Sequence, residues 1–257
     1  MPWKSPLEQA FGQNSTQLFS TKVAAYQAAR PDYPTALFDW LASHLPVHPE
    51  VLDIGAGTGL FTQGLLARGW RVLAVEPDAA MRAACDARLS NVPHYRSAAG
   101  LAEALPADDH SVDLITAAQS FHWFDPVPAR RECTRVLKPG GRVALIWNDR
   151  DEAAPIHQDL NTLFAQFGGA ARAAQVADNE LERAAQFLGA GAQFWHGPHH
   201  QLLDAEGLEA LVFSRSYMPS RESHDGNAVV RALGHLFDRH QRQGQVRLPY
   251  QTRAWLG

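Results

Sequence analysis

Cysteine is scarce in this chain, and long apolar runs are missing from it. The 257 residues include only two cysteines, Cys85 and Cys133, which form neither a disulfide framework nor the spacing of a metal site. We expect both to be buried thiols in a reducing compartment, which predicts a cytoplasmic protein. No apolar run approaches the roughly 20 residues that cross a bilayer, so we expect no membrane span.

Clusters of basic residues are also missing. The formal net charge is -4, and the sequence has no long run of Lys and Arg, although phosphate neutralisation requires such clusters. The neighbouring histidines His196, His199 and His200 lack both the helical i, i+4 spacing and the carboxylate companion of a hydrolytic zinc site. We therefore expect neither a nucleic acid partner nor a metal.

Strand and helix patterns alternate along the chain, which predicts a parallel α/β sheet. We expect strands over residues 51–54, 71–75, 94–96, 112–118, 142–147, 194–203 and 245–250, with a turn over 138–141 before the fifth. Helical patterns cover residues 36–41, 61–68, 79–89, 129–137, 205–217 and 229–242.

One domain over residues 1–257 accommodates all of these elements. We expect residues 1–50 to form a helical N-terminal lid and residues 51–150 to form the core of the sheet. An Ala- and Gln-rich helical insertion or cap follows over 151–190, and residues 191–257 supply the strands and helices that complete the sheet.

The first predicted strand runs directly into a glycine-rich loop. Gly55, Gly57 and Gly59 form the pattern G-x-G-x-G, which lets the backbone approach a ligand closely. Leu60 stands where a dinucleotide-binding loop requires its last glycine, which argues against a nicotinamide site. Glu76 ends the second strand and offers two carboxylate oxygens to a ribose diol.

This loop, together with Asp53 and Glu76, resembles the S-adenosylmethionine (SAM) site of class I SAM-dependent methyltransferases. The resemblance spans residues 22–150 and is closest to methyltransferase type 11-like enzymes of the trans-aconitate and ubiquinone-biosynthesis groups. It implies a Rossmann-like, doubly wound, mostly parallel seven-stranded sheet of order 3-2-1-4-5-7-6 with the last strand antiparallel. It also implies SAM as cofactor and S-adenosylhomocysteine as product.

The resemblance implies a role for each part of the cofactor site. Arg30 would pair with the SAM carboxylate, Asp53 would bind the ammonium or fix the loop, and Glu103 would bind the adenine edge. Met81 would cover one face of the adenine, although it is also an ordinary core residue. The cofactor-binding residues expected in this way are Tyr26, Arg30, Asp53, Gly55, Ala56, Gly57, Gly59, Glu76, Pro77, Met81, Ala102, Glu103 and Gln119.

The reacting end is expected to follow the fourth strand, where His122 lies. An imidazole side chain suits a general base, but a hydrogen bond that shapes the loop is the alternative role. Aromatic walls would attract a sulfonium cation. The residues expected to line the substrate pocket are Tyr33, Trp123, Trp147, Arg150 and Tyr217.

We predict a SAM-dependent methyltransferase that methylates a small molecule, with the oxygen of a carboxylate or hydroxyl as the acceptor. Two alternatives remain: a SAM-binding or interaction module without catalysis, and an NAD-dependent oxidoreductase, against which Leu60 speaks. Fold analogy leaves the acceptor unnamed. We expect a monomer or a homodimer.

Overall fold

The computed structural model describes residues 30–169, 180–215 and 217–257. The predicted lid over 1–50 and the predicted insertion over 151–190 are therefore described only in part. Tyr26, which was expected to contact the cofactor, lies outside the described residues.

Seven strands and the helices around them form a layered α/β structure. The strands are β1 (Glu50–Ile54), β2 (Arg71–Val75), β3 (Tyr95–Ala98), β4 (Val112–Ala118), β5 (Leu137–Arg150), β6 (Gln193–Leu203) and β7 (Val246–Leu256). The helices are α1 (Thr35–Ala42), α2 (Leu60–Leu66), α3 (Ala79–Leu89), α4 (Pro126–Val136), α5 (Pro155–Phe167), α6 (Glu180–Leu188), α7 (Ala205–Phe213) and α8 (His224–His240).

The sheet order is β3-β2-β1-β4-β5-β7-β6, which confirms the order implied by the resemblance. Strands β1 to β5 run parallel to one another, and β7 is antiparallel to both β5 and β6. The chain moves outward from β1 to β3 and then returns to β4 on the other side of β1. This reversal is a topological switch point, and ligands of open α/β sheets bind beside the carboxyl ends of strands at such a point.

Apolar side chains cover both faces of the sheet. One cluster joins α1, α2 and α3 to the sheet and includes Phe61, Leu65 and Cys85, and a second includes Phe121 and Cys133. Both cysteines are free and buried, as expected. Continuous apolar strands such as β4 need this two-sided cover, because their residues are buried on both faces.

A third apolar cluster lies beyond the carboxyl end of β5. It joins α5, α7 and α8 to the ends of β6 and β7, with Phe164 at its buried centre. The described part of the predicted insertion is thus divided, because α5 belongs to this cluster whereas Phe187 of α6 packs with Phe121 at 5.1 Å between ring centroids.

Several boundaries differ from the sequence prediction. Strand β5 begins at Leu137, because Leu137 pairs with Val112 before a register shift, so residues 138–141 lie within the strand element. Helix α4 begins at Pro126 rather than at residue 129, because the Asp125 side chain accepts a hydrogen bond from Val127 N at 3.2 Å.

Boundaries nearer the carboxyl terminus also differ from the sequence prediction. Strand β7 extends to Leu256, six residues further than expected, because it pairs with β5 on one side and β6 on the other. Helix α8 begins at His224 rather than at residue 229, with Ser223 as its cap, and α7 ends at Phe213 rather than at residue 217. Within the described ranges, no helix is long and apolar enough to cross a membrane.

Candidate cofactor and substrate site

Two neighbouring cavities open at the carboxyl ends of β1, β2 and β4. The larger has a volume of about 440 Å³ and the smaller about 110 Å³. Both are lined by Gly55, Gly57, Ala118 and Gln119, so the loops after β1 and β4 form the boundary between them. An elongated ligand laid across the switch point would contact both.

The glycine loop has a backbone that other residues adopt only with strain. Gly55, Gly57 and Gly59 all have positive φ, at +67°, +57° and +82°. A Cβ atom on Gly55 would lie 2.5 Å from the Ser120 Cβ, whereas one on Gly57 would meet no atom within 4 Å. Close packing therefore requires glycine at position 55, and at position 57 the missing side chain leaves open space.

Asp53 lies at the end of β1 and is 1% exposed. Its two carboxylate oxygens accept hydrogen bonds from Thr62 Oγ1 at 2.6 Å and Thr116 Oγ1 at 2.7 Å. Burial raises the pKa of Asp53 to about 6, and the two hydroxyl donors offset part of that rise. Asp53 thus fixes the base of the loop, and it also lines the larger cavity.

Glu76 connects the end of β2 to the glycine loop. Its Oε2 accepts a hydrogen bond from Gly57 N at 2.8 Å, and its Oε1 accepts one from Asp78 N at 2.9 Å. Burial raises the pKa of Glu76, and these backbone donors counteract the rise. Each carboxylate oxygen can accept a second hydrogen bond, so Glu76 can hold the loop and still bind a hydroxyl in the smaller cavity that it lines.

The remaining walls of the smaller cavity are mostly apolar. Met81 is buried and lines this cavity, so both roles considered for it are compatible. Glu103 Oε1 accepts a hydrogen bond from Asp125 N at 2.7 Å, which ties this wall to the start of α4. Trp123, expected in the substrate pocket, lines the smaller cavity rather than the larger. Pro77, Ala102 and Phe124 complete this wall.

Gln119 occupies the loop after β4 with a positive φ of +59°, which is uncommon for a residue other than glycine. Its backbone N donates to Ile146 O at 2.9 Å, and its Nε2 donates to Asn148 O at 3.1 Å. These contacts hold the loop against β5. Gln119 lines both cavities, beside the glycine loop.

Aromatic and histidine side chains form one part of the larger cavity. Tyr33 contacts Phe61 edge-on at 4.8 Å between centroids, and His122 lies beside the Trp123 ring at 5.0 Å. Trp147 is buried at the end of the apolar part of β5. Tyr33, His122 and Trp147 all line the larger cavity, as do Ala56 and Arg30.

Basic side chains form the other part, which we call the arginine end and define as Arg30, Arg150, Arg215, Tyr217 and Tyr250. Arg150 Nη2 contacts Glu152 Oε1 at 3.0 Å, and burial lowers the pKa of Arg150. Arg30 Nη2 donates to Ser214 O at 3.4 Å, so Arg30 is tied to the residue that follows α7.

Among the cavity residues that sequence reasoning missed are Tyr250 and Arg253. Both lie on β7, and Arg253 forms an ion pair with Asp149 of β5. Tyr250 is the register partner of Arg150. The predicted last strand ended at residue 250, so it was a sequence signal for Tyr250 but not for Arg253, and the sequence does not specify how that strand pairs with β5.

The structure also places Gly59 and His199, which the sequence analysis singled out. Gly59 lines neither cavity; it precedes α2, where a Cβ would lie 2.7 Å from Cys85 Sγ. His199 Nε2 contacts Asp32 Oδ1 at 2.8 Å. Among the described residues, no group of three or more His, Cys, Asp or Glu is arranged to hold a metal ion.

Comparison with known proteins gives relatives for most of the chain. A family model described as a methyltransferase domain matches residues 52–145. An uncharacterized methyltransferase-like protein of Schizosaccharomyces pombe is 32% identical over 252 residues, which cover 95% of this chain and 96% of that protein. An uncharacterized methyltransferase of Mycobacterium bovis is 42% identical over 155 residues, covering 60% of this chain and 61% of the relative.

A solved structure shows a similar fold. It is a protein from Anaeromyxobacter dehalogenans that is provisionally assigned as a type II methyltransferase, with a TM-score of 0.64 and 23% identity. The match covers 89% of this chain and 97% of that one. At this identity the likeness concerns the fold alone.

Proposed function

Because the chain belongs to the class I SAM-dependent methyltransferases, we propose that it transfers the methyl group to an oxygen of a small molecule, a carboxylate or a hydroxyl. The observation that supports the cofactor in this proposal is the pair of cavities that meet at Gly57, with Glu76 on one side and Arg30 on the other. The oxygen acceptor is supported by the His122 and arginine side chains of the larger cavity. A carboxylate suits a ribose diol, and an arginine suits the carboxylate of an amino acid.

The residues present fit the cofactor. Gly57 leaves more than 4 Å of free space around the position of a Cβ, so the loop can approach a ligand closely. Glu76 retains acceptor capacity after its two backbone hydrogen bonds. The adenine would lie among Pro77, Met81 and Glu103, and the methionine part would lie beside Arg30.

Bound there, SAM would supply an electrophilic methyl group carried on a sulfonium. The protein's part is to align the acceptor oxygen with that methyl group, and orientation alone accounts for a large share of catalysis in such displacements. Tyr33 and Trp147 wall the larger cavity. Their ring faces also attract a sulfonium cation, by roughly 0.5–2 kcal/mol.

His122 has a defined role only for one class of acceptor. A hydroxyl must lose its proton as it is methylated, and the imidazole of His122 in the larger cavity can accept that proton. A carboxylate carries no such proton and needs no base. Replacement of His122 by Asn should therefore lower kcat strongly for a hydroxyl acceptor and only weakly for a carboxylate acceptor.

Calorimetry tests the cofactor before any acceptor is known. We expect S-adenosylhomocysteine to bind the wild type and NADH to give no heat. Glu76→Gln keeps the size of the side chain but removes its charge and one acceptor, and should weaken binding at least about tenfold. Glu50→Gln is the matched control, because Glu50 lies at the opposite end of β1 and pairs with Arg71 at 3.0 Å.

Equal affinity of the two variants would contradict the role of Glu76. No binding of SAM or S-adenosylhomocysteine at sub-millimolar concentrations would contradict the proposal that SAM is the cofactor. Release of labelled methyl to any acceptor, abolished by Glu76→Gln and retained by Glu50→Gln, would exclude a SAM-binding module without catalysis.

A further inference from the structure

Positive charge is concentrated at the arginine end of the larger cavity. Arg150 and Arg215 stack on the same ring, with their guanidinium carbons 5.2 Å and 5.4 Å from the Phe164 centroid. Two like charges held this close in a partly buried wall repel each other. An anion bound between them would relieve this repulsion.

One guanidinium nitrogen of Arg150 has no hydrogen-bond partner among the described residues. Its Nη2 contacts Glu152 Oε1 at 3.0 Å, whereas its Nη1 is buried and has no hydrogen-bond partner among the described residues. Glu152 therefore satisfies only part of the guanidinium. A buried donor without a partner is costly in a folded protein, and such groups are rare unless a ligand completes them.

Tyr250 gives a second, independent indication. It is 4% exposed, lines the same cavity, and its hydroxyl has no hydrogen-bond partner among the described residues. Tyr250 lies beside Arg150 through the register of β5 and β7. The positive charges of Arg215, Arg30 and Arg150 act on its hydroxyl, where they counteract the rise in pKa that burial causes. A phenol in this setting is suited to donate to an anionic oxygen.

We infer that the arginine end binds a carboxylate of the acceptor substrate through Arg150 Nη1 and the Tyr250 hydroxyl. This inference rests on the proposed function, because it names the substrate class of the same site. Arg150 lies four residues beyond Ile146, the residue that receives the Gln119 hydrogen bond, which is roughly 13 Å along a strand. A carboxylate bound there would lie away from the Gln119 loop, and we infer that it is distinct from the atom that is methylated.

Calorimetry in a Tris buffer free of other organic acids tests the inference. The wild type is first titrated with S-adenosylhomocysteine, and the saturated protein is then titrated with acetate, glutarate and citrate, and with glutaramide as the neutral counterpart of glutarate. We expect at least one of the acids to bind and glutaramide not to bind. Arg150→Gln should weaken the acid at least about tenfold, and Tyr250→Phe about three- to tenfold.

A thermal measurement separates ligand binding from a structural role. Tyr250→Phe removes a hydroxyl that has no hydrogen-bond partner among the described residues, so the Tm of the free protein should stay the same or rise. Tyr95→Phe is the matched control: it loses the hydrogen bond to Asp86 Oδ1 at 2.8 Å, so Tm should fall while acid binding stays unchanged.

Each other outcome has a definite meaning. No heat with S-adenosylhomocysteine would overturn the proposed function. If S-adenosylhomocysteine binds, three results would each overturn the carboxylate subsite alone. These are no binding of any acid, binding of glutaramide as tight as that of glutarate, and unchanged acid binding in both Arg150→Gln and Tyr250→Phe.

Discussion

Replacement of Asp53 by Asn should make the protein more stable at neutral pH and less sensitive to pH. Asp53 is fully buried and is surrounded by two threonine hydroxyls rather than by a cation. Asn has nearly the same shape, and a threonine hydroxyl can accept from its amide as well as donate to its oxygen. The change therefore removes the buried charge while keeping both contacts.

The magnitude follows from the shift in pKa. The usual value near 3.8 rises to about 6 in the folded protein, a difference of about 2.2, which corresponds to about 3 kcal/mol. Because the folded state holds its proton more tightly, folding is favoured fully below pH 3.8. That contribution is lost as the pH rises through about 6, and it is absent at higher pH.

Urea denaturation of the wild type and Asp53→Asn between pH 4 and pH 8 measures this effect. The free energy of unfolding of the variant, relative to the wild type, should increase by up to about 3 kcal/mol across that range. Asp109→Asn, an exposed carboxylate far from the loop, controls for a general effect of charge. A difference between Asp53→Asn and the wild type that stays constant with pH would refute the reasoning.

Three further predictions follow from the packing of buried groups. Gly55→Ala should lower the free energy of unfolding by about 2–4 kcal/mol in urea denaturation, because its Cβ would lie 2.5 Å from Ser120 Cβ at a positive φ; a loss below about 1 kcal/mol would contradict this. Gly57→Ala should lower the free energy of unfolding by only about 1–2 kcal/mol, because the positive φ alone is unfavourable. It should nevertheless weaken S-adenosylhomocysteine binding at least about tenfold in calorimetry, since the new methyl group projects into open space at the junction of the cavities. Unchanged affinity would refute that placement. His157 is buried and its pKa falls to about 4, so its neutral form stabilises the fold above pH 6.5 and this stability is lost as the pH falls from 6.5 toward 4. NMR titration of the His157 ring should locate its pKa well below 6, and a value of 6.5 would contradict its burial.

The glycine-loop side of the candidate site could be proposed from the sequence because its signals are local. The glycine loop needs positive φ within five consecutive residues, and Glu76 follows the next strand directly. What the sequence did not reveal is how these parts constrain each other. The hydrogen bond from Gly57 N to Glu76 joins positions 19 residues apart, and the two threonines that hold Asp53 come from different elements.

The strand order was predicted through the resemblance, whereas boundaries depended on contacts between distant segments. Strand β7 extends to Leu256 only because β5 and β6 lie on both sides of it. Helix α8 begins five residues early because the Ser223 side chain caps it, accepting from Gly226 N at 2.9 Å. Such caps can be recognised in a sequence once the helix is known, but the apolar pattern alone points to a later start.

The two halves of the site differ in how the chain encodes them, and this difference bears on specificity. Cofactor-side positions from Asp53 to Gln119 follow β1, β2 and β4 in order along one continuous segment. The arginine end instead depends on positions between Arg150 and Tyr250, which meet through the antiparallel register of β5 and β7 and the packing of Phe164. Arg30 lies at the junction, because it is also expected to hold the methionine part of the cofactor. Substitutions in these later positions leave the glycine loop untouched. Variants of Arg150 and Tyr250 should therefore change acceptor affinity without changing cofactor affinity, and variants of Glu76 should do the reverse.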